Sequence, residues 1–187
     1  MKTFNFAKTA IRDYKRVGAI VQSSHYVARR VADELQGKKI IVEYGAGDGV
    51  ISKEVLKKMP KDGLLLAFET NEKLFSELKK ITDSRLLPIN EDIRKIDLYL
   101  EKNKVKKVGA VFSGIPFSMM KKKDRRSIIE KTKDVLNEKG IFVVYQTSPL
   151  VLSILKNNFT EVDLGFEFKN IPPYFIMSAR KEVKIKS

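Results

Sequence analysis

From residue 39 onward, short apolar runs alternate with stretches in which apolar residues recur at helical spacing. Ile40-Ile41-Val42 opens the series within a strand expected over 39–44, and Val50, Ile51, Val55 and Leu56 mark a helix over 49–58. The same reading gives strands over 64–69, 85–89, 108–113 and 140–146, and helices over 71–82, about 93–103, 123–137 and 149–157. Two last apolar runs, 159–168 and 174–183, have no helix between them and are expected to pair antiparallel. Upstream, Phe4, Ala7, Ile11 and Tyr14 give a helix over 3–17 an apolar stripe, set among Lys8, Arg12, Lys15 and Arg16. Val17 to Gln22 reads as a linker, and Ser24 caps a second helix through Val27, Val31 and Leu35 that Gly37 ends. Strand–helix alternation means a parallel sheet covered on both faces. The expected fold is therefore α/β, doubly wound and mostly parallel, with seven strands, as one domain over 1–187 in which 1–22 is helix and linker.

Ligands of such sheets sit beyond the carboxyl ends of the strands. The first of these ends reads Glu43-Tyr44-Gly45-Ala46-Gly47-Asp48-Gly49. Glycines between a strand and a helix let backbone N–H groups approach a ligand at the positive end of the helix dipole. A second acid, Glu69, ends the next apolar run 20 residues after Gly49, a spacing that suits ribose hydroxyls. A dinucleotide fingerprint would need glycine where Val50 stands, and no phosphate loop of the Gly-x-x-x-x-Gly-Lys type is present. Acids flanking the glycines suit a cofactor that carries an amino acid and no phosphate, which is S-adenosylmethionine (SAM), with S-adenosylhomocysteine as product. The candidate cofactor residues are Glu43, Gly45, Ala46, Gly47, Gly49, Glu69, Thr70, Glu91, Asp92, Ile93 and Ser113. Within that set a carboxylate of Glu91-Asp92 could accept from the adenine amino group, although Asp92 is equally suited to cap a helix.

The fourth strand ends in Ser113-Gly114-Ile115-Pro116-Phe117, where carbonyls stiffened by proline could orient an amine and an aromatic ring could face a developing cation. Lys121-Lys122-Lys123 and Arg125-Arg126 follow beside that mouth. Tyr14, Ser24, His25 and Tyr174 stand as candidate acceptor-side residues; for His25, the one histidine, a surface or capping role stands beside this.

Composition narrows the chemistry. Without cysteine there is no disulfide, thiolate metal site or thiol nucleophile, and with one histidine no metal cluster is expected. No run approaches the length of a membrane span, and no apolar leader opens the chain, so a cytoplasmic location is expected. A net charge of +14 favours polyanionic partners, either nucleic acid or an anionic membrane surface.

Four segments carry a resemblance: Gly18 to Ser24, Val42 to Gly49, Ser113-Gly114-Ile115-Pro116, and Asn170-Ile171-Pro172-Pro173 followed by an aromatic. Through them the chain resembles bacterial phospholipid N-methyltransferases of the PmtA type, within the class I SAM-dependent methyltransferases with their Rossmann-like sheet. The resemblance implies stepwise methylation of the amine of phosphatidylethanolamine, peripheral binding at the inner face of the membrane through the N-terminal helix, and no metal. Strand position then sets Glu43, Gly45, Ala46 and Gly47 at the methionine part, Glu69 at the ribose and Asp92 at the adenine. Two departures stand out: Gln22 where the family usually has proline, and Phe117-Ser118-Met119-Met120 with a lysine run where its continuation is more apolar. The rRNA adenine dimethylases are the less favoured relatives, since they add a C-terminal helical domain.

Overall fold

The computed structural model describes residues 25–170 and 172–181. Seven strands form one sheet: β1 (Ile40–Tyr44), β2 (Leu64–Phe68), β3 (Leu86–Ile89), β4 (Val108–Ser113), β5 (Leu136–Gln146), β6 (Glu161–Glu167) and β7 (Tyr174–Arg180). Their order is β3-β2-β1-β4-β5-β7-β6. The first five are parallel, while β7 runs antiparallel to both β5 and β6. The expected doubly wound architecture and the closing antiparallel pair are both present.

Among the described residues six helices cover the sheet: α1 (25–34), α2 (Val50–Lys58), α3 (Glu72–Leu78), α4 (Ile96–Lys102), α5 (Lys122–Val135) and α6 (Leu152–Asn158). Alternating side chains of the central strands feed two apolar layers. Val42, Tyr44, Leu66, Phe68, Val111 and Phe142 pack with α4, α5 and α6. Ile41, Leu65, Ala67, Ala110, Phe112 and Val143 pack with α1, α2 and α3. Val27, Val31 and Leu35, the stripe read from sequence, are all buried in that second layer. Gly37, at φ +76°, closes the turn after α1 in the left-handed conformation that glycine adopts without strain.

The boundaries moved where local chemistry outweighed periodicity. Pro88 is tolerated in β3 because β3 is an edge strand with a free N–H side. The helix expected over 71–82 ends at Leu78, which frees Ile81 to pack beneath the glycine loop. The helix expected near 93–103 divides into a 3-10 turn, Ile93–Lys95, and α4, because Asp92 caps the turn. β5 leaves α5 directly but bulges, with Leu136 opposite Val108 and regular pairing only from Ile141.

Packing puts the loops after β1, β2, β4 and β5 side by side. Gly49 is the left-handed N-cap of α2 at φ +83°, and a Cβ there would lie 2.4 Å from Ile81 Cδ1 and 2.9 Å from Leu78 Cδ1. Gly49→Ala should therefore lose about 1–2 kcal/mol from backbone strain, with overpacking added. Thermal unfolding checks this: the midpoint should fall, and an unchanged midpoint would show that Ile81 yields and the left-handed turn relaxes.

Candidate active site

Glu43 organises the site. It is fully buried at the carboxyl end of β1, on the α1–α3 side of the sheet, whereas its neighbour Tyr44 points to the other side. The Tyr44 hydroxyl lies 3.2 Å from Thr132 Oγ1, whose own proton goes to the Ile128 carbonyl at 2.7 Å, so Tyr44 donates and ties β1 to α5. The Ser52 hydroxyl, from the first turn of α2, donates to Glu43 Oε2 at 2.5 Å. Oε1 has no hydrogen-bond partner among the described residues. A buried acceptor left in this state carries a desolvation cost and marks a place for a donor. Burial pushes the Glu43 carboxyl up to about 8; the Ser52 hydrogen bond opposes this, and the negative charges of Glu69 and Asp48 add to it.

The glycine loop is strapped to β2. The N–H groups of Gly45 and Ala46 both donate to the Phe68 carbonyl at 2.9 Å. The Gly47 N–H donates to Glu69 Oε2 at 2.8 Å, and the Asn71 N–H donates to Glu69 Oε1 at 2.7 Å. Glu69 thus bridges the first and second loops while each oxygen keeps a lone pair free. Asn90 Nδ2 donates to the Glu69 carbonyl at 2.8 Å and brings the third loop in. Gly45, Gly47 and Gly49 all have positive φ, at 74°, 61° and 83°. Gly47 faces open space, with nothing within 4 Å of where a Cβ would point. A Cβ on Gly45 would instead meet Ile115 Cγ2 at 2.9 Å, so the loop after β1 and the loop after β4 are in contact there.

In that fourth loop Ser113 is buried, its Oγ 3.4 Å from the Ile115 N–H, and the Gly114 N–H donates to the Tyr44 carbonyl at 3.0 Å. Pro116 is exposed. Phe117 departs from the sequence reading: its ring turns down into the α4–α6 core, fully buried, instead of standing in the mouth. An apolar ring on a 3-10 turn above the sheet gains more from burial than from exposure.

The third-loop residues are committed elsewhere. Asp92 caps the 3-10 turn through the Arg94 N–H at 2.9 Å and takes the Arg94 guanidinium as a fork at 2.9 and 2.5 Å. The Arg94 hydrogen bond holds its carboxyl below the usual range. Glu91 accepts from Lys95 at 2.5 Å, and that bond lowers its carboxyl too. Ile93 packs on the core edge, and Thr70 is exposed beside Glu69. His25 is half exposed, with Nδ1 3.8 Å from Glu54 Oε1 on α2, and has no contact with the 113–117 loop among the described residues. His25 thus takes a surface position at the start of α1. Tyr14 and Ser24 lie outside the described residues. Tyr174, partly buried at the start of β7, stands with its ring 6.4 Å from that of Tyr145.

Two residues of the site were missed from sequence. Ser52 looks like an ordinary helix serine, and only the fold brings it to Glu43. Tyr145 ends the apolar run Ile141-Phe142-Val143-Val144 of β5, and its polar tip at a strand's carboxyl end was a usable signal.

Among the described residues no group of three or more His, Cys, Asp or Glu side chains could hold a metal, and no helix is long and apolar enough to cross a membrane.

No protein-family model matches the chain. The ornithine lipid N-methyltransferase of Singulisphaera acidiphila is 24% identical over 162 residues, covering 84% of each chain. Among solved structures, the N-methyltransferase NodS of Bradyrhizobium japonicum superposes with a TM-score of 0.67 at 12% identity, covering 88% of this chain and 97% of that one. The precorrin-6y C5,15-methyltransferase of Geobacter metallireducens gives 0.63 at 20% identity, covering 82% and 87%. The fold is that of the class I SAM-dependent methyltransferases.

The buried carboxyl has a direct consequence for stability. Folded Glu43 keeps its proton to about pH 8, whereas the ordinary carboxyl of an unfolded chain loses it near 4.5. Its contribution is therefore fully present below about 4.5, falls as pH rises toward 8 and levels off above that. Glu43→Gln removes this dependence. Urea unfolding of both proteins at pH 5 and pH 8.5 should show the variant gaining on the wild type by a few kcal/mol; a constant difference would mean that Glu43 is not held neutral.

Proposed function

We propose that the chain is a SAM-dependent N-methyltransferase that acts on the primary amine of a membrane lipid. The observation that carries the first half is the buried Glu43 carboxyl with its unpartnered oxygen, next to open space at Gly47 and the Glu69 bridge. These residues fit SAM. Its α-ammonium supplies the donor that Glu43 lacks, and its ribose hydroxyls can donate to the free lone pairs of Glu69. Its carboxylate suits the amino end of α2, whose first turn has no acidic side chain to compete. The carboxylates of Asp48 and Glu69 would repel a phosphate.

When bound, SAM supplies a methyl group on a positively charged sulfur. The chain's part is to align and to dry. The Ser113-Gly114 backbone, pinned to β1 through the Tyr44 carbonyl, offers carbonyls for amine N–H groups. No described side chain is placed as a strong base, so the acceptor ammonium gives its proton to water before transfer.

The acceptor reading is supported by the lipid-methylating relative and by the surface around the mouth. Met119, Leu150 and Phe168 are 46%, 45% and 75% exposed. They lie on the loops after β4, β5 and β6, which leave the same end of the sheet, with β7 between β5 and β6. Beside them Lys121, Lys122, Lys123 and Arg126 are exposed and have no ion-pair partner among the described residues. Apolar tips with unpaired cations suit an anionic lipid surface, where each basic residue contributes about 1 kcal/mol. Phosphatidylethanolamine is the proposed acceptor, and ornithine lipid, on which the curated relative acts by its name, is the natural comparison.

With labelled SAM, label should enter vesicles of phosphatidylethanolamine containing anionic lipid, and transfer should fall as salt shortens the Debye length. Changing Lys121, Lys122 and Lys123 to Glu should reduce vesicle co-sedimentation while SAM affinity is kept. Label in ornithine lipid alone would change the named acceptor; label in RNA alone would overturn the lipid reading.

A further inference from the structure

Tyr145 carries an observation that the cofactor reading does not use. It is partly buried at the end of β5, and its hydroxyl has no hydrogen-bond partner among the described residues. A Cβ added to Gly114 would lie 2.3 Å from that hydroxyl oxygen and 2.7 Å from Cζ. The phenol therefore rests directly on the Gly114 backbone, where a side chain at position 114 would otherwise be. The next strand contributes Tyr174, with rings 6.4 Å apart and 33° between planes, so two phenols wall the same side of the fourth loop. Glu43, Tyr174 and Glu69 are the groups whose charge acts on the Tyr145 phenol, so its hydroxyl stands on the side of the cofactor residues.

A hydroxyl is a poor choice for filling space beside a glycine, since phenylalanine fills it at no polar cost. A ligand group that uses the oxygen explains why a phenol is there. We propose that the Tyr145 hydroxyl accepts a hydrogen bond from the acceptor amine and, with the Gly114 backbone, holds the nitrogen lone pair on line with the transferring methyl. The inference rests on the methyl-transfer reading but not on the acceptor being a lipid.

The step balances without further reactants. The neutral amine's lone pair forms the N–C bond. The pair of the breaking C–S bond stays on sulfur, which becomes the neutral thioether of S-adenosylhomocysteine. The product methylammonium gives its proton to water. Tyr145 takes no proton in this sequence: burial first, then the charge of Glu43, pushes its phenol well above the usual 10, so it remains protonated and acts as an acceptor and a wall. It is a positioning residue for the nucleophile, with the aromatic faces of Tyr145 and Tyr174 available to the methylated cation.

Tyr145→Phe tests this because the lost hydroxyl has no partner in the protein. Its melting temperature and its affinity for S-adenosylhomocysteine should match the wild type. Sinefungin, a SAM analogue with an amine in place of the methyl, should bind the wild type in preference to S-adenosylhomocysteine. In the variant this preference should drop by about tenfold, the loss of one charge-assisted hydrogen bond. With phosphatidylethanolamine vesicles, kcat should fall at least as far, with little change in KM. An unchanged sinefungin preference, or unchanged kcat, overturns the proposal. A joint loss of thermal stability and S-adenosylhomocysteine affinity also overturns it and makes Tyr145 a packing residue. If the wild type labels no lipid but the sinefungin preference drops, the lipid acceptor is wrong and Tyr145 keeps its assignment. If neither nucleoside binds the wild type, the methyl-transfer reading and this inference fall together.

Discussion

The site depends on one costly arrangement: a carboxyl group buried at the end of β1 with only half of its hydrogen bonding satisfied. Ser52 serves one oxygen of Glu43, and nothing among the described residues serves the other. The fold gains nothing in stability from this, since a glutamine or an apolar residue would pack there at lower cost. Such a group persists where a ligand completes it. The surrounding acids make the point sharper. Asp48 and Glu69 lie close enough to raise the Glu43 carboxyl further, so the loop is short of positive charge. An amino acid's ammonium meets that need, whereas a phosphate would worsen the imbalance.

Around this centre the loops are joined by backbone more than by side chains. Phe68 carbonyl receives two N–H groups of the glycine loop, Glu69 receives a third, and Tyr44 carbonyl receives Gly114. Each of these needs the parallel register that sets Tyr44 opposite both Phe68 and Ser113. The loops after β1, β2 and β4 are consequently one hydrogen-bonded unit, fixed to the rigid part of the sheet. That geometry suits a reaction in which alignment of nitrogen, methyl and sulfur does most of the work. The antiparallel β7 brings Tyr174 to the same end as Tyr145, because reversing the last strand puts its amino end beside the carboxyl end of β5.

Much of this was legible in the sequence for physical reasons. Central parallel strands are buried on both faces, so Ile40 to Val42, Leu64 to Phe68 and Ile141 to Val144 stand out as unbroken apolar runs. The Glu43 to Gly49 loop was legible because left-handed turns and close approaches select glycine at 45, 47 and 49. What failed to show was set by contacts between distant segments. The role of Ser52 depends on nine residues of turn and helix bringing it back over Glu43. Phe117 was misread because nothing local distinguishes a ring facing a mouth from one facing a core. His25, half exposed at the start of α1, takes the surface role that its sequence context allows. Asp92 carries two readings in sequence, and the bond it accepts from the Arg94 N–H is the helix cap.

The measurement that bears most directly on the central claim is calorimetry of S-adenosylhomocysteine binding at pH 7 in two buffers of different ionisation enthalpy. A Glu43 that stays neutral to about pH 8 must give up its proton when an ammonium takes its free oxygen. The wild type should release close to one proton per bound ligand, and Glu43→Gln should bind more weakly and release none. Identical heats in the two buffers for the wild type would contradict the claim, for then the buried carboxyl is either already ionised or not the group that meets the ligand's ammonium.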